Sequence, residues 1–169
     1  MCCRVHQMER SAREPDMELP VLILAIGNES RGDDALAPLL LRRLQQEVTN
    51  EHIEFLEDFQ LQVEHVTDLN GRHTVLFIDA DVSCDAPYQF SEITAAHDNS
   101  YTSHAMSPAA LLHAYRQVYG SDAPESFLLR IRGYGFELGD DMSDEARANL
   151  EQAERMIGTW LADILAVRE

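Results

Sequence analysis

Val21 to Ile26 is an unbroken apolar run, Val-Leu-Ile-Leu-Ala-Ile, followed at once by Gly27. A short run this rich in aliphatic and β-branched side chains fits a strand buried on both faces of a parallel sheet. It points to an α/β architecture, because both faces of such a strand need covering helices. Gly27 and Gly32 then bracket a tight loop, and Asp33 and Asp34 stand where the next helix is expected. In open α/β sheets sites are built at the carboxyl ends of strands. The two acids are therefore a candidate site.

The rest of the chain alternates strand and helix patterns. Leu36, Leu40, Leu44 and Val48 recur at helical spacing and predict a helix over 34–48, capped by Asp33 or Asp34, with Pro38 in its first turn. A strand is expected over 53–59. A short helix should follow over 61–69, with Val63, Val66 and Leu69 on one face and Gly71 in a left-handed cap. A third buried strand is read over 74–80 and an alternating, edge-like strand over 88–94. Ser107-Pro108 pairs an N-cap with Pro at the first helical position, starting a helix that runs to Tyr119 and stops at Gly120. The fifth strand spans 126–132, and Ser143 caps a long helix with Leu150, Ala153, Ile157, Leu161 and Ile164 as its stripe. The prediction is one α/β domain over 20–169, a three-layer sandwich with a mostly parallel, twisted five-stranded sheet and helices on both faces. Residues 1–19 read as a poorly ordered extension without the apolar core of a signal peptide. With strand 2 beside strand 1 beside strand 3 and right-handed crossovers, the ends of strands 1 and 3 lie together and leave a crevice.

Composition narrows the partners. A net charge of −17 argues against nucleic acid and anionic membrane, which require clustered cations. No run reaches the roughly 18 apolar residues of a membrane span. Cys2, Cys3 and Cys84 make neither a disulfide framework nor a CxxC pair, so a reducing cytoplasm is expected. All 13 basic residues are Arg. Without lysine there is no phosphate-cradling P-loop, and a phospho-acceptor receiver domain is excluded on the same ground. A G-x-S-x-G elbow and a GxGxxG fingerprint are both missing, and Cys84 lacks a helix-start context.

Two carboxylates and one histidine remain. Asp34 follows strand 1 and reads either as a helix cap or as a ligand facing the crevice. Asp79 ends strand 3 and reads either as a loop cap or as its partner. Of the seven histidines, His104 stands out, three residues ahead of the Ser107-Pro108 helix start. Two carboxylates and an imidazole with open positions suit a borderline divalent ion such as nickel, zinc or iron.

Three stretches together resemble the hydrogenase maturation proteases, endopeptidases that process the large subunit of nickel–iron hydrogenases. They are Ile26-Gly27-Asn28 with Gly32-Asp33-Asp34, then Phe77-Ile78-Asp79-Ala80, then His104 ahead of Ser107-Pro108 and Leu111-Leu112. The match runs over 22–167. It implies that Asp34, Asp79 and His104 are the catalytic and metal-engaging residues, reading nickel that the substrate already carries. The implied partner is a hydrogenase large-subunit precursor, which loses its C-terminal extension, and the enzyme is expected as a monomer. Many relatives have Glu where this chain has Asp34, and an Asp-Gly-Gly type turn where it reads Glu57-Asp58-Phe59-Gln60-Leu61-Gln62. No separate nucleophile is evident, and Gly133-Tyr134-Gly135-Phe136-Glu137 reads as a structural turn. The alternatives are a metallohydrolase with its own zinc and a module that binds the precursor without cutting it.

Overall fold

The computed structural model describes residues 21–97 and 106–167. The strands are β1 (Val21–Ile26), β2 (Ile53–Asp58), β3 (Thr74–Asp81), β4 (Tyr88–Ile93) and β5 (Glu125–Arg132). The α-helices are α1 (Leu36–Glu47), α2 (Val66–Leu69), α3 (Pro108–Tyr119) and α4 (Asp144–Ala166), and 3-10 turns at Gly32–Ala35 and Val63–His65 lead into α1 and α2. The expected extension over 1–19, with Cys2 and Cys3, lies outside the described residues, as does His104.

The sheet order is β2-β1-β3-β5-β4, parallel except for β4, which runs antiparallel to β5 at one edge. All six residues of β1 are buried, and the two faces explain why its pattern does not alternate. Val21, Ile23 and Ala25 enter a core with α1 and α4, whereas Leu22, Leu24 and Ile26 enter a second core with α2 and α3. Full burial of one such aliphatic side chain is worth about 1.5–3 kcal/mol, so β1 contributes to both layers at once. Trp160 of α4 meets Phe90 and Phe127 edge-on at 5.5 and 5.2 Å, which seats that helix over β4 and β5.

Helix ends follow the sequence signals at α3 and α4. The Ser107 hydroxyl accepts from the Ala110 N–H at 3.1 Å, and Gly120 closes α3 in the left-handed region at φ 68°. The Ser143 hydroxyl accepts from the Ala146 N–H at 3.2 Å.

The predicted start of the first helix needs correction. Residues 32–35 form a 3-10 turn, and neither that turn nor α1 has a side-chain cap. Asp33 is not the helix cap expected of it, because its carboxylate is used elsewhere. The second helix is also shorter than expected, and Val63 is exposed rather than on the buried face with Val66 and Leu69.

Candidate active site at the carboxyl edge of the sheet

The register of the sheet sets the floor of the site. Ile26 pairs with Asp58 on one side and with Asp79 on the other, so β1 and β2 end level with Asp79 and β3 runs two residues further. Immediately past that level the Gly27 N–H donates to the Asp58 carbonyl at 3.1 Å. The chain then turns sharply, and a Cβ at position 27 would lie 2.2 Å from the Asp34 carbonyl oxygen. Only glycine permits this approach, and the approach folds the loop back so that Asp34 overhangs the end of β1. The Asp34 carboxylate accepts from the Asn28 N–H at 3.0 Å.

Asp33 turns the other way. Its side chain is only 1% exposed. One oxygen accepts from the Tyr134 N–H at 2.7 Å, the Gly135 N–H at 3.2 Å and the Ser143 hydroxyl at 2.8 Å, and the other from the Ser143 N–H at 2.7 Å. Burial alone would raise its pKa, but these four donors outweigh it and hold the carboxyl below its ordinary range. The Asp33 N–H returns a bond to the Gly135 carbonyl at 2.8 Å. Gly32, at φ +55°, is within 2.6 Å of the same oxygen at the place a Cβ would occupy. Asp33 is thus a staple between the first loop, the turn after β5 and the start of α4. The 133–137 turn has the structural role expected of it.

Asp79 and Asp34 bear directly on one another. Burial is the main influence raising the Asp79 carboxyl, followed by the negative charge of Asp34, and the group is pushed up to about 7. Asp81 adds to the rise, and a hydrogen bond from the Ala80 backbone opposes it. Asp34 is raised as well, since its burial outweighs the Asn28 N–H and the charge of Arg31. Two buried carboxyls that are both raised, one of them partly by the charge of the other, make a candidate place for a cation or a retained proton.

Asp81, two residues on, is different. One of its oxygens accepts from the Ser83 N–H and hydroxyl, both at 2.6 Å, and the other meets the Arg130 guanidinium at 3.0 Å. These partners overcome burial and hold it low. Of the two acids at the end of β3, only Asp79 is left with its charge uncompensated.

Sequence reasoning missed the Asp58–His65 pair, whose Nε2–Oδ2 distance is 3.2 Å and which braces the end of β2 against the turn before α2. Gln62 and His65, three apart and joined as a capping box, were the available signal. His97 and His113 meet edge to face at 5.3 Å. The Met106 N–H donates to the Leu61 carbonyl at 3.4 Å, so α3 begins beside the loop that follows β2. Among the described residues no three His, Cys, Asp or Glu side chains are grouped to hold a metal.

No protein-family model matches the sequence, and no curated protein matches it either. Solved structures do. The hydrogenase maturating endopeptidase HybD from E. coli superposes with a TM-score of 0.67 at 21% identity, over 85% of this chain and 92% of that one. The chain has the fold of the hydrogenase maturation proteases. The [NiFe] hydrogenase maturation protease HycI from Thermococcus kodakarensis KOD1 gives a TM-score of 0.64 at 20% identity, over 84% of this chain and 92% of that one. The hydrogenase 2 maturation peptidase from Thaumarchaeota archaeon SCGC_AB-539-E09 gives 0.61 at 20% identity, over 84% and 97%. On this fold, Asp34 lies in the turn after β1 and Asp79 near the carboxyl end of the neighbouring β3. No helix among the described residues is long and apolar enough to cross a membrane.

Proposed function

We propose that this chain is an endopeptidase that removes the C-terminal extension of a nickel–iron hydrogenase large-subunit precursor after nickel insertion. The observation that carries the reading is the pair of raised carboxyls, Asp34 in the turn after β1 and Asp79 near the end of the adjacent β3, on a maturation-protease fold. Nickel here is part of the substrate. A site that must detect a metal already bound to another protein should be incomplete alone, with few ligands and open positions. Two carboxylates supply the negative charge and His104 the nitrogen donor, which is the donor set a borderline divalent ion accepts. A cation held by these acids would offset the burial and the repulsion that raise Asp79, so the site would favour a precursor that brings the ion over one that does not. Once seated, such an ion polarises a neighbouring carbonyl or lowers the pKa of a bound water.

The deciding experiment incubates the purified chain with precursor, loaded with nickel or free of it, and follows the tail by intact-protein mass spectrometry. Tail loss from the loaded precursor alone is expected, and Asp79→Ala and His104→Ala should each abolish it while leaving the circular dichroism unchanged. Cleavage of unrelated peptides by tightly held zinc would favour a general metallohydrolase. Binding without any cleavage would favour a maturation factor that only escorts the precursor.

A further inference from the structure

Eight large apolar side chains are well exposed among the described residues, and they are not scattered. Phe59, Val63, Val82, Tyr134 and Leu138 lie just beyond the carboxyl ends of β2, β3 and β5. The other three, Val118, Tyr119 and Val167, lie at the far ends of α3 and α4. Phe59 and Leu138 are 73% and 75% exposed. Single exposed apolar residues need no explanation, but a group of them around a candidate site marks an interaction surface.

The loops that carry these side chains are tied down. Phe59 follows Asp58, whose carbonyl receives the Gly27 N–H and whose carboxylate receives the Phe59 N–H at 2.6 Å. Leu138 is bracketed by the Gly139 N–H to the Ser30 carbonyl at 2.7 Å and the Gly32 N–H to the Asp140 carbonyl at 3.2 Å. Tyr134 hangs from Asp33, and Val82 precedes the Ser83 turn gathered by Asp81. A surface fixed before binding gives up little conformational freedom when a partner arrives.

We propose that these apolar side chains form the seat for the protein substrate, a segment that presents a bound divalent metal flanked by apolar residues. This rests on the reading of the acids given above. The occupant follows from what the rim surrounds. Asp34 and Asp79 present negative charge that a metal-bearing segment complements, while a second copy of this chain, net −17, would bring more negative charge to the same place. Apolar contacts around a polar centre exclude water from it, and most of the binding free energy then comes from a few anchors. Phe59, large and prominent, is the principal anchor on the β2 side, and Leu138 on the β5 side.

The test compares wild type with the double variant Phe59→Ser/Leu138→Ser, using nickel-loaded precursor and measuring both equilibrium binding and the KM and kcat of tail removal. The double variant is expected to weaken binding and raise KM by about tenfold or more, with kcat at saturation nearly unchanged. Phe59→Leu/Leu138→Met, which keeps the apolar surface, should restore both. Val118→Ser, at the opposite end of the fold, should change neither. Unaltered binding and KM in the double variant would overturn the proposal while leaving the protease reading standing. Precursor bound through the rim but never cleaved would do the reverse. A wild-type dimer that the double variant dissociates would assign the rim to self-association and overturn the proposal as well.

Discussion

Asp79 and Asp33 lie close in the fold and are driven in opposite directions by the same physics. Both lose hydration, but Asp33 recovers it from four donors, whereas Asp79 has one backbone hydrogen bond and two negative neighbours. The sign for Asp79 follows from linkage. Its folded pKa of about 7 lies above the ordinary 3.8, so between these values the folded chain binds more protons than the unfolded one and stability falls as pH rises. A tenfold change in proton affinity is worth about 1.4 kcal/mol. Urea unfolding of the metal-free protein should therefore show a loss on the order of 4 kcal/mol across this window from this group. Asp79→Asn should flatten that part of the profile and be the more stable protein above neutrality. An unchanged slope in the variant would show that Asp79 ionises freely in the fold. Asp79 itself was legible as a strand-end acid in the sequence. Its difference from Asp81 was not, since the Arg130 and Ser83 partners that settle Asp81 come from β5 and from a turn.

Among the elements, those that declare their own ends were the legible ones. Ser107-Pro108 with Gly120 and the Ser143 cap specify α3 and α4 locally, and the structure follows them. The 3-10 turn at 32–35 was not legible, because what opposes a regular helix there is Asp33 bonding to residues about a hundred positions away. The second helix misleads for a related reason. Val63 has helical spacing but sits in a 3-10 turn whose geometry rotates it out to solvent. The β1 loop is the element on which the site depends. Gly27→Ala places a methyl 2.2 Å from the Asp34 carbonyl oxygen, a backbone atom that cannot swing aside. The variant should lose about 2–3 kcal/mol in urea titrations, in line with overpacking against a fixed neighbour. Tail removal should fall further than stability, because the displaced atoms belong to Asp34. A Gly27→Ala protein with wild-type stability and activity would mean that the loop has slack that this close contact denies.

For the molecule as a whole, the layering of the sheet was readable from β1 alone, since a strand apolar at every position needs two covered faces. His104, proposed as the third member of the site, is picked out by its position ahead of the Ser107-Pro108 helix start and lies outside the described residues. Charge is the other property of this scale. With 30 acidic side chains against 13 arginines, the folded chain repels itself more than the expanded one does. Salt should relieve this. Raising ionic strength from about 0.01 M to about 0.15 M shortens the screening length from about 30 Å to about 8 Å. Differential scanning calorimetry near neutral pH should show Tm rising by about 3 °C, the shift that about 1 kcal/mol produces in a domain of this size. A Tm that falls with salt would show that the surface ion pairs outweigh the net repulsion.

The staple made by Asp33 has a consequence in time. Its carboxylate waits for Ser143, 110 residues further along the chain. At roughly 5–20 residues per second of synthesis, that delay lasts roughly 5–20 seconds. Throughout it, the turn that carries Asp34 lacks this anchor, although every residue of the turn has already been made. On the proposed reading of Asp34, a nascent chain therefore lacks the fully anchored loop that presents this acid until α4 has begun to form.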